Sequence, residues 1–281
     1  MLSLRAPAKI NLFLEVVGRR KDGYHNLNTL FLKVRLFDIL QFEKAKQGIA
    51  IISNHPHIPK DSSNLVYKAA ELMSRYAKVK KGVQIKIIKN IPIGAGLGGG
   101  SSDAATALLG LNKLWDLRLP QKELLKIGRK LGADVPLFLI PDSAALGRGR
   151  GDRLKAVTLL KKFWILLFVP EIFVSTKQVF KALSSDLTNR KNDVKLLIHA
   201  LKKSDSKEIG KYLFNRLESV TFRKYKWLAK IKKKISALGV RAVLMSGSGS
   251  VIFGIINSRE EAIRIKRKLQ DSGQVLVVRS L

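Results

Sequence analysis

Nine consecutive residues, Gly94-Ala95-Gly96-Leu97-Gly98-Gly99-Gly100-Ser101-Ser102, hold five glycines and two serines. A phosphate needs close backbone approach and several inward N–H donors, and glycine permits both because it lacks a Cβ and tolerates positive φ. Pro92 introduces the loop, and an apolar helical spacing follows it through Ala104, Ala105, Leu108, Leu109 and Trp115. A helix N-terminus at that point adds orphan N–H groups and a favourable dipole for an anion. The helix is expected to begin near Ser101 or Ser102, where either hydroxyl can bond a phosphate or reach a magnesium ion, since hard cations take oxygen ligands. The chemistry this predicts is a cradle for phosphate groups.

Two competing readings use the same residues. Gly94, Gly96 and Gly99 satisfy the dinucleotide fingerprint G-x-G-x-x-G, with Asp116 at a suitable distance to imitate its ribose-binding acid. That acid should end a strand, whereas Leu114-Trp115-Asp116 closes a helix and leads towards Pro120. A glycine turn that only lets a helix pack on a strand needs one or two glycines, and ordering five of them costs considerable chain entropy. The Walker pattern G-x-x-x-x-G-K-[ST] occurs nowhere in the chain.

The elements around the loop must position it. Ile10 to Val17 is rich in strand formers, Lys21-Asp22-Gly23 supplies a turn, and Thr29 to Leu36 continues apolar, so the N-terminus is expected to be β-rich. A helix is predicted over 64–76 and an alternating strand over 83–87, giving the order strand, glycine loop, helix. A second helix is expected from Gln121 to Leu131, stopping at Gly132. Gly147-Arg148-Gly149-Arg150-Gly151-Asp152 is expected to break any regular element, with Phe163 to Val169 a central strand beyond it. Helices near 176–184, 192–202, 206–219 and 224–238 precede strand-like runs at 241–245 and 250–256. A domain boundary near 155 divides the chain into 1–155 and 156–281.

At 281 residues and 46% apolar content the chain can bury a substantial core. Its longest apolar block is far below the roughly 20 residues of a membrane helix, Arg5 and Lys9 interrupt any signal sequence, and cysteine is absent. These features predict a soluble, cytoplasmic protein with no membrane partner. Fifty-three Lys and Arg against 21 Asp and Glu give +32, a balance that attracts polyanions. The charge is spread along the chain without a basic tail, which favours a Lys-rich solvated surface over a nucleic-acid face.

The run Pro92 to Ala105, Pro-Ile-Gly-Ala-Gly-Leu-Gly-Gly-Gly-Ser-Ser-Asp-Ala-Ala, closely resembles the ATP-binding motif of the GHMP kinases. Three further segments resemble the branch of that superfamily acting on 4-diphosphocytidyl-2-C-methyl-D-erythritol in the non-mevalonate isoprenoid pathway. They are Ala6-Pro7-Ala8-Lys9-Ile10-Asn11-Leu12, Asp22-Gly23-Tyr24-His25 and Leu131-Gly132-Ala133-Asp134-Val135-Pro136. The likeness extends to Ser246-Gly247-Ser248-Gly249 and so spans nearly the whole chain. It implies a two-domain α+β GHMP kinase fold with the site in the cleft between domains. The implied reaction transfers the ATP γ-phosphate to the 2-hydroxyl of the methylerythritol unit. Homoserine and mevalonate kinases share the loop but not the Asp22-Gly23-Tyr24-His25 segment.

By resemblance Asp134 is the general base and Lys9 its catalytic partner. An alcohol is a poor nucleophile until a carboxylate accepts its proton, and a nearby ammonium can orient that carboxylate. The plain alternatives are a turn or helix cap before Pro136 for Asp134 and a surface lysine on a strand for Lys9. Tyr24 and His25 match the cytidine site, Phe180, four residues after Thr176, looks like the opposing aromatic face, and Asn11 resembles a residue near the substrate hydroxyls. Asn64, Leu65, Val66 and Lys89 resemble the adenine pocket, although Asn64 can simply cap a helix and Lys89 can be a solvated strand-end charge. Ser246-Gly247-Ser248-Gly249 either closes over the substrate or is a simple turn between strands. Mg2+ is expected with ligands unassigned, and the choice between monomer and homodimer stays open.

Overall fold

The computed structural model describes residues 1–183, 193–204 and 206–281. Positions 184 and 192, at the ends of two expected helices, lie outside them. The chain forms two compact units, Met1–Ala8 with Leu36–Pro92 and Gly98–Pro141, and Lys9–Arg35 with Ile93–Leu97 and Asp142–Leu281. These units interleave along the sequence. Two long strands, β1 (Leu2–Arg19) and β2 (His25–Ala45), supply residues to both.

In the first unit, β3 (Ile49–Ser53) runs parallel to β4 (Gly82–Ile88), which pairs antiparallel with the end of β2, Leu40 opposite Ile87. Four helices accompany this sheet: α1 (Leu65–Ala77), α2 (Gly99–Leu114), α3 (Gln121–Leu131) and α4 (Val135–Leu139). Helix α2 is the core element, with every residue from Ser102 to Leu108 buried. Its small side chains explain this placement. Ala104, Ala105 and Ala107 leave room for neighbours, and Gly110 lies so close to the Phe42 ring that a Cβ there would overlap it. Burying each large side chain of this layer, such as Phe42, Ile85 or Leu108, contributes about 1.5–3 kcal/mol. Helix α3 occupies the expected residues, whereas α2 begins at Gly99, ahead of the two serines.

In the second unit, the start of β2 pairs with β5 (Ala144–Gly149), and β5 pairs with β6 (Arg153–Val157). The glycine-arginine stretch expected to break regular structure is therefore a hairpin. Gly149 and Gly151 take positive φ in its turn, and the Arg150 N–H donates to Asp152 Oδ1 at 3.2 Å.

A separate four-stranded antiparallel sheet runs β11 (Gln274–Arg279), β7 (Trp164–Val169), β10 (Ile252–Ile256), β9 (Ala242–Met245). The central position expected of β7 is observed. Helices α9 (Lys226–Ala237) and α10 (Arg259–Leu269) bury Leu228, Ile235, Ile265 and Leu269 against Leu166, Phe168 and Ile252.

The remaining helices are α5 (Thr176–Lys181), α6 (Asp193–Lys203), α7 (Ser206–Tyr212) and α8 (Glu218–Lys224). The single helix expected over 206–219 is interrupted by β8 (Phe214–Asn215), which pairs parallel with Phe13 and Leu14. Asn215 makes the break: its side chain accepts from Leu217 N and donates to the carbonyls of Met245 and Gly247. No helix of the described residues is long and apolar enough to cross a membrane. The result is an α+β fold.

Candidate functional site

In the first unit, β4 leads through Lys89, Asn90 and Ile91 to Pro92, and the exit of the glycine loop is Gly98, the N-cap of α2 at φ 72°. The left-handed backbone suits glycine, and it turns the chain into α2 so that Gly99, Gly100 and Ser101 occupy its first turn, with Ser102 N the first to bond back, to Gly98 O. A Cβ on Gly99 would lie 3.1 Å from Ile91 Cγ2 and 3.2 Å from Lys89 Nζ. Ser102 is fully buried and its Oγ has no hydrogen-bond partner among the described residues.

Asn64 is the N-cap of α1, its Oδ1 accepting from Val66 N at 2.8 Å. The capping role anticipated for it is thus present. Leu65 and Val66 form the first turn behind it, and Leu65 lies beside Gly100.

Lys89 is not a solvated charge. Its ammonium is paired with Asp38 and, at 2.8 Å, with Asp103, and all three side chains are at most 5% exposed. Burial alone would lower the Lys89 pKa, but Asp103 and Asp38 outweigh it and the net shift is upward. Burial pushes Asp103 up to about 7, with Asp38 adding to the rise and Lys89 opposing it.

Asp134 stands at the N-cap position of α4 and is half-buried, yet its side chain makes no capping bond. The cap alternative therefore does not account for its carboxylate.

In the second unit, Lys9 is 4% exposed, so the surface-lysine alternative fails. Its Nζ donates to Asn11 Oδ1 at 2.7 Å and to Gly96 O at 2.9 Å, and its backbone N–H donates to Leu97 O. Asn11 in turn donates from Nδ2 to Thr29 Oγ1 at 2.9 Å. Gly96 O accepts a second bond, from Ser246 Oγ at 3.0 Å. Gly96 has φ 77°, and a Cβ there would overlap the Ser246 carbonyl oxygen. Gly94, also at positive φ, lies against the Phe173 ring, and Ala95 O accepts from Val251 N.

The Ser246-Gly247-Ser248-Gly249 segment is a connection between antiparallel β9 and β10, as its simpler reading held, but its serines are engaged. Ser248 Oγ lies 2.8 Å from Thr176 Oγ1, and Ser248 O accepts from Thr221 Oγ1.

The turn after β1 carries Tyr24, and His25 opens β2. Arg20 pairs with Asp22, whose Oδ1 accepts from Tyr24 N. Tyr24 is 55% exposed, with the Arg150 guanidinium 5.3 Å from its ring centre. His25 stacks on Phe180 at 5.1 Å and 25°. Burial, and then Arg19, lower the His25 pKa, which favours the neutral imidazole.

Asp38, Asp103, Thr29 and Asn215 were not singled out by the sequence. Asp38 carried a readable signal, an acid inside the apolar strand run Leu36-Phe37-Asp38-Ile39-Leu40. The others become visible only through long-range contacts.

No group of three or more His, Cys, Asp or Glu able to hold a metal occurs among the described residues. A magnesium ion carried on nucleotide phosphates needs only one or two protein oxygens, and the unpartnered Ser102 hydroxyl fits that need.

Residues 64–141 match the GHMP kinases N terminal domain and residues 197–275 the GHMP kinases C terminal family. The chain is 40% identical over 282 residues to the 4-diphosphocytidyl-2-C-methyl-D-erythritol kinase of Clostridioides difficile (strain 630), covering 99% of this chain and 95% of that one. It is 41% identical to the protein of the same name from Bacillus pumilus (strain SAFR-032), covering 99% and 96%. A crystal structure of 4-(cytidine 5'-diphospho)-2C-methyl-D-erythritol kinase superposes with a TM-score of 0.85 at 38% identity, covering 99% of each chain. The L. major mevalonate kinase in complex with R-mevalonate, at 17% identity and a TM-score of 0.76 over 100% of this chain and 96% of that one, shares the fold.

Proposed function

This kinase belongs to the 4-diphosphocytidyl-2-C-methyl-D-erythritol kinases of the GHMP kinase family, and from that premise we propose that it moves the γ-phosphate of ATP onto the 2-hydroxyl of 4-diphosphocytidyl-2-C-methyl-D-erythritol. The observation that carries the reading is the bond from Lys9 Nζ to Gly96 O, which ties the lysine assigned to catalysis directly to the glycine loop assigned to ATP.

The N–H groups of the loop and of the first turn of α2 hold the phosphates, a role supported by the left-handed Gly98 and the close-packed Gly99. The hydroxyl of Ser101 or Ser102 would hold a magnesium ion brought with the nucleotide, which would supply neutralisation of phosphate charge. Asp134 accepts the proton of the 2-hydroxyl as its oxygen bonds to the γ-phosphorus, the β–γ bridging P–O bond breaks, and ADP leaves with that electron pair. Lys9, its charge fixed by Asn11 and Gly96, orients the carboxylate and stabilises developing negative charge. Tyr24, His25, Thr176 and Phe180 take the cytidine moiety, and Asn11 lies by the acceptor hydroxyls. Asn64, Leu65, Val66 and Lys89 serve the nucleotide end. A division into domains 1–155 and 156–281, with the family matches on either side of it, and a cytoplasmic location complete the proposal.

The test is turnover with ATP across a panel of 4-diphosphocytidyl-2-C-methyl-D-erythritol, homoserine and mevalonate. Phosphorylation of the cytidyl substrate alone is expected. Turnover of homoserine or mevalonate without it would overturn the substrate assignment.

A further inference from the structure

Asp38 is fully buried in β2, where strand periodicity gives no reason for a charge. Its Oδ1 accepts the N–H groups of Asn90 at 2.6 Å and Ile91 at 2.8 Å, the last two residues before Pro92. Its Oδ2 takes the Lys89 ammonium, which also donates to Asp103 Oδ2 at 2.8 Å. Asp103 follows Ser102 in α2, and Gly99, the first residue of that helix, packs directly over Lys89 Nζ. Asp38 thus gathers the chain entering the glycine loop, Lys89 to Ile91, and the Lys89 ammonium joins it to Asp103 of the chain leaving the loop.

Stability does not explain such a cluster. Desolvating ions costs about as much as their attraction returns, and apolar residues of similar volume do as well or better. What three paired charges add is fixed geometry, because each donor and acceptor has one position that satisfies it. We propose that Asp38, Lys89 and Asp103 form a clamp that sets the spacing between the two ends of the glycine loop, making Asp38 and Asp103 positioning residues for the nucleotide phosphates. The clamp deepens the kinase reading and rests on it for the identity of the ligand. Two carboxylates share one ammonium, each through its Oδ2, and an asparagine at 103 removes one of those charges with little change of volume. Asp103→Asn is therefore an isosteric probe that keeps the helix start intact.

The experiment compares the parent protein with Asp38→Asn and Asp103→Asn in two readouts. The first is hydrogen exchange of the Gly94–Ser102 segment without nucleotide; the second is steady-state kinetics against ATP. Expected are loop exchange faster by about tenfold and an ATP KM raised by about tenfold, with kcat within about twofold and exchange elsewhere unchanged. If Asp38→Asn does not fold, Asp103→Asn carries the test. Parent-like loop exchange with a parent-like KM would sink the clamp, as would a loss of kcat and overall stability with KM unmoved, which marks a merely structural cluster. A parent that turns over no ATP, while loop exchange still rises in the variants, would sink the kinase reading and leave the clamp standing.

Discussion

The imidazole of His25 lies 5.1 Å from the ring of Phe180 and 25° from parallel to it. The expected sandwich placed Tyr24 and Phe180 on either side of cytosine, but in the structure His25 faces Phe180, and Tyr24 sits half-exposed under Arg150. Phe180 therefore stacks on the histidine proposed to contact the cytidine moiety.

This arrangement predicts that Phe180→Ala raises the His25 pKa towards 6.5, because removing the ring returns the partly buried imidazole to water. An NMR titration of the parent should show His25 below 6.5 and the variant above the parent. Identical midpoints would show that Phe180 does not bury the histidine. The same variant should weaken cytidyl-substrate binding by about tenfold or more, the scale of one lost aromatic stack, with ATP affinity unchanged.

Asp134→Asn should keep the fold and nucleotide binding while lowering turnover by roughly two to four orders of magnitude, the scale of positioned acid–base catalysis. Lys9→Met removes the donor to Asn11 Oδ1 and Gly96 O and should also cut turnover. If the two act as a unit, the double variant is little worse than the poorer single one. Multiplicative losses, measured at saturating substrates, would separate their roles.

Local patterns in the sequence carried much of this molecule. Helix α3 is legible because its apolar spacing ends at a glycine, and β7 because a short apolar run without polar breaks marks a strand buried on both faces. The start of α2 was misplaced because glycines are poor helix formers, so their presence in its first turn runs against propensity. The break at Asn215 and the pairing of Lys89 with Asp38 and Asp103 could not be read, since each depends on partners many residues away. Lys9 was found through its motif, but its burial and its bond to the glycine loop come from tertiary structure alone.

Gly96→Ala tests the loop conformation. A side chain at φ 77° costs about 1–2 kcal/mol on its own, and its Cβ would also overlap the Ser246 carbonyl and lie 3.1 Å from Gly249 O. The urea midpoint should fall with an unchanged m-value, and turnover should fall with it because the Lys9 acceptor moves. A midpoint equal to the parent's would mean that the loop relaxes without cost.

The last prediction concerns pH. Asp103 has a folded pKa of about 7 against an ordinary value of 3.8, chiefly because it is buried. Between those values the folded state holds a proton that the unfolded chain releases, so the contribution of this group to stability is fully present below about 4 and is lost as pH rises to about 7. Exposed acids such as Asp61 are shifted the other way by hydrogen bonds from Ser63, so a stability curve of the parent alone mixes opposite slopes. The difference between the parent and Asp103→Asn isolates the buried acid. That difference should favour the asparagine variant increasingly from pH 4 to pH 7 and stay level above it, read from urea midpoints at fixed ionic strength. A difference independent of pH would show that Asp103 titrates alike in the folded and unfolded states, and that the buried cluster keeps both carboxylates ionised.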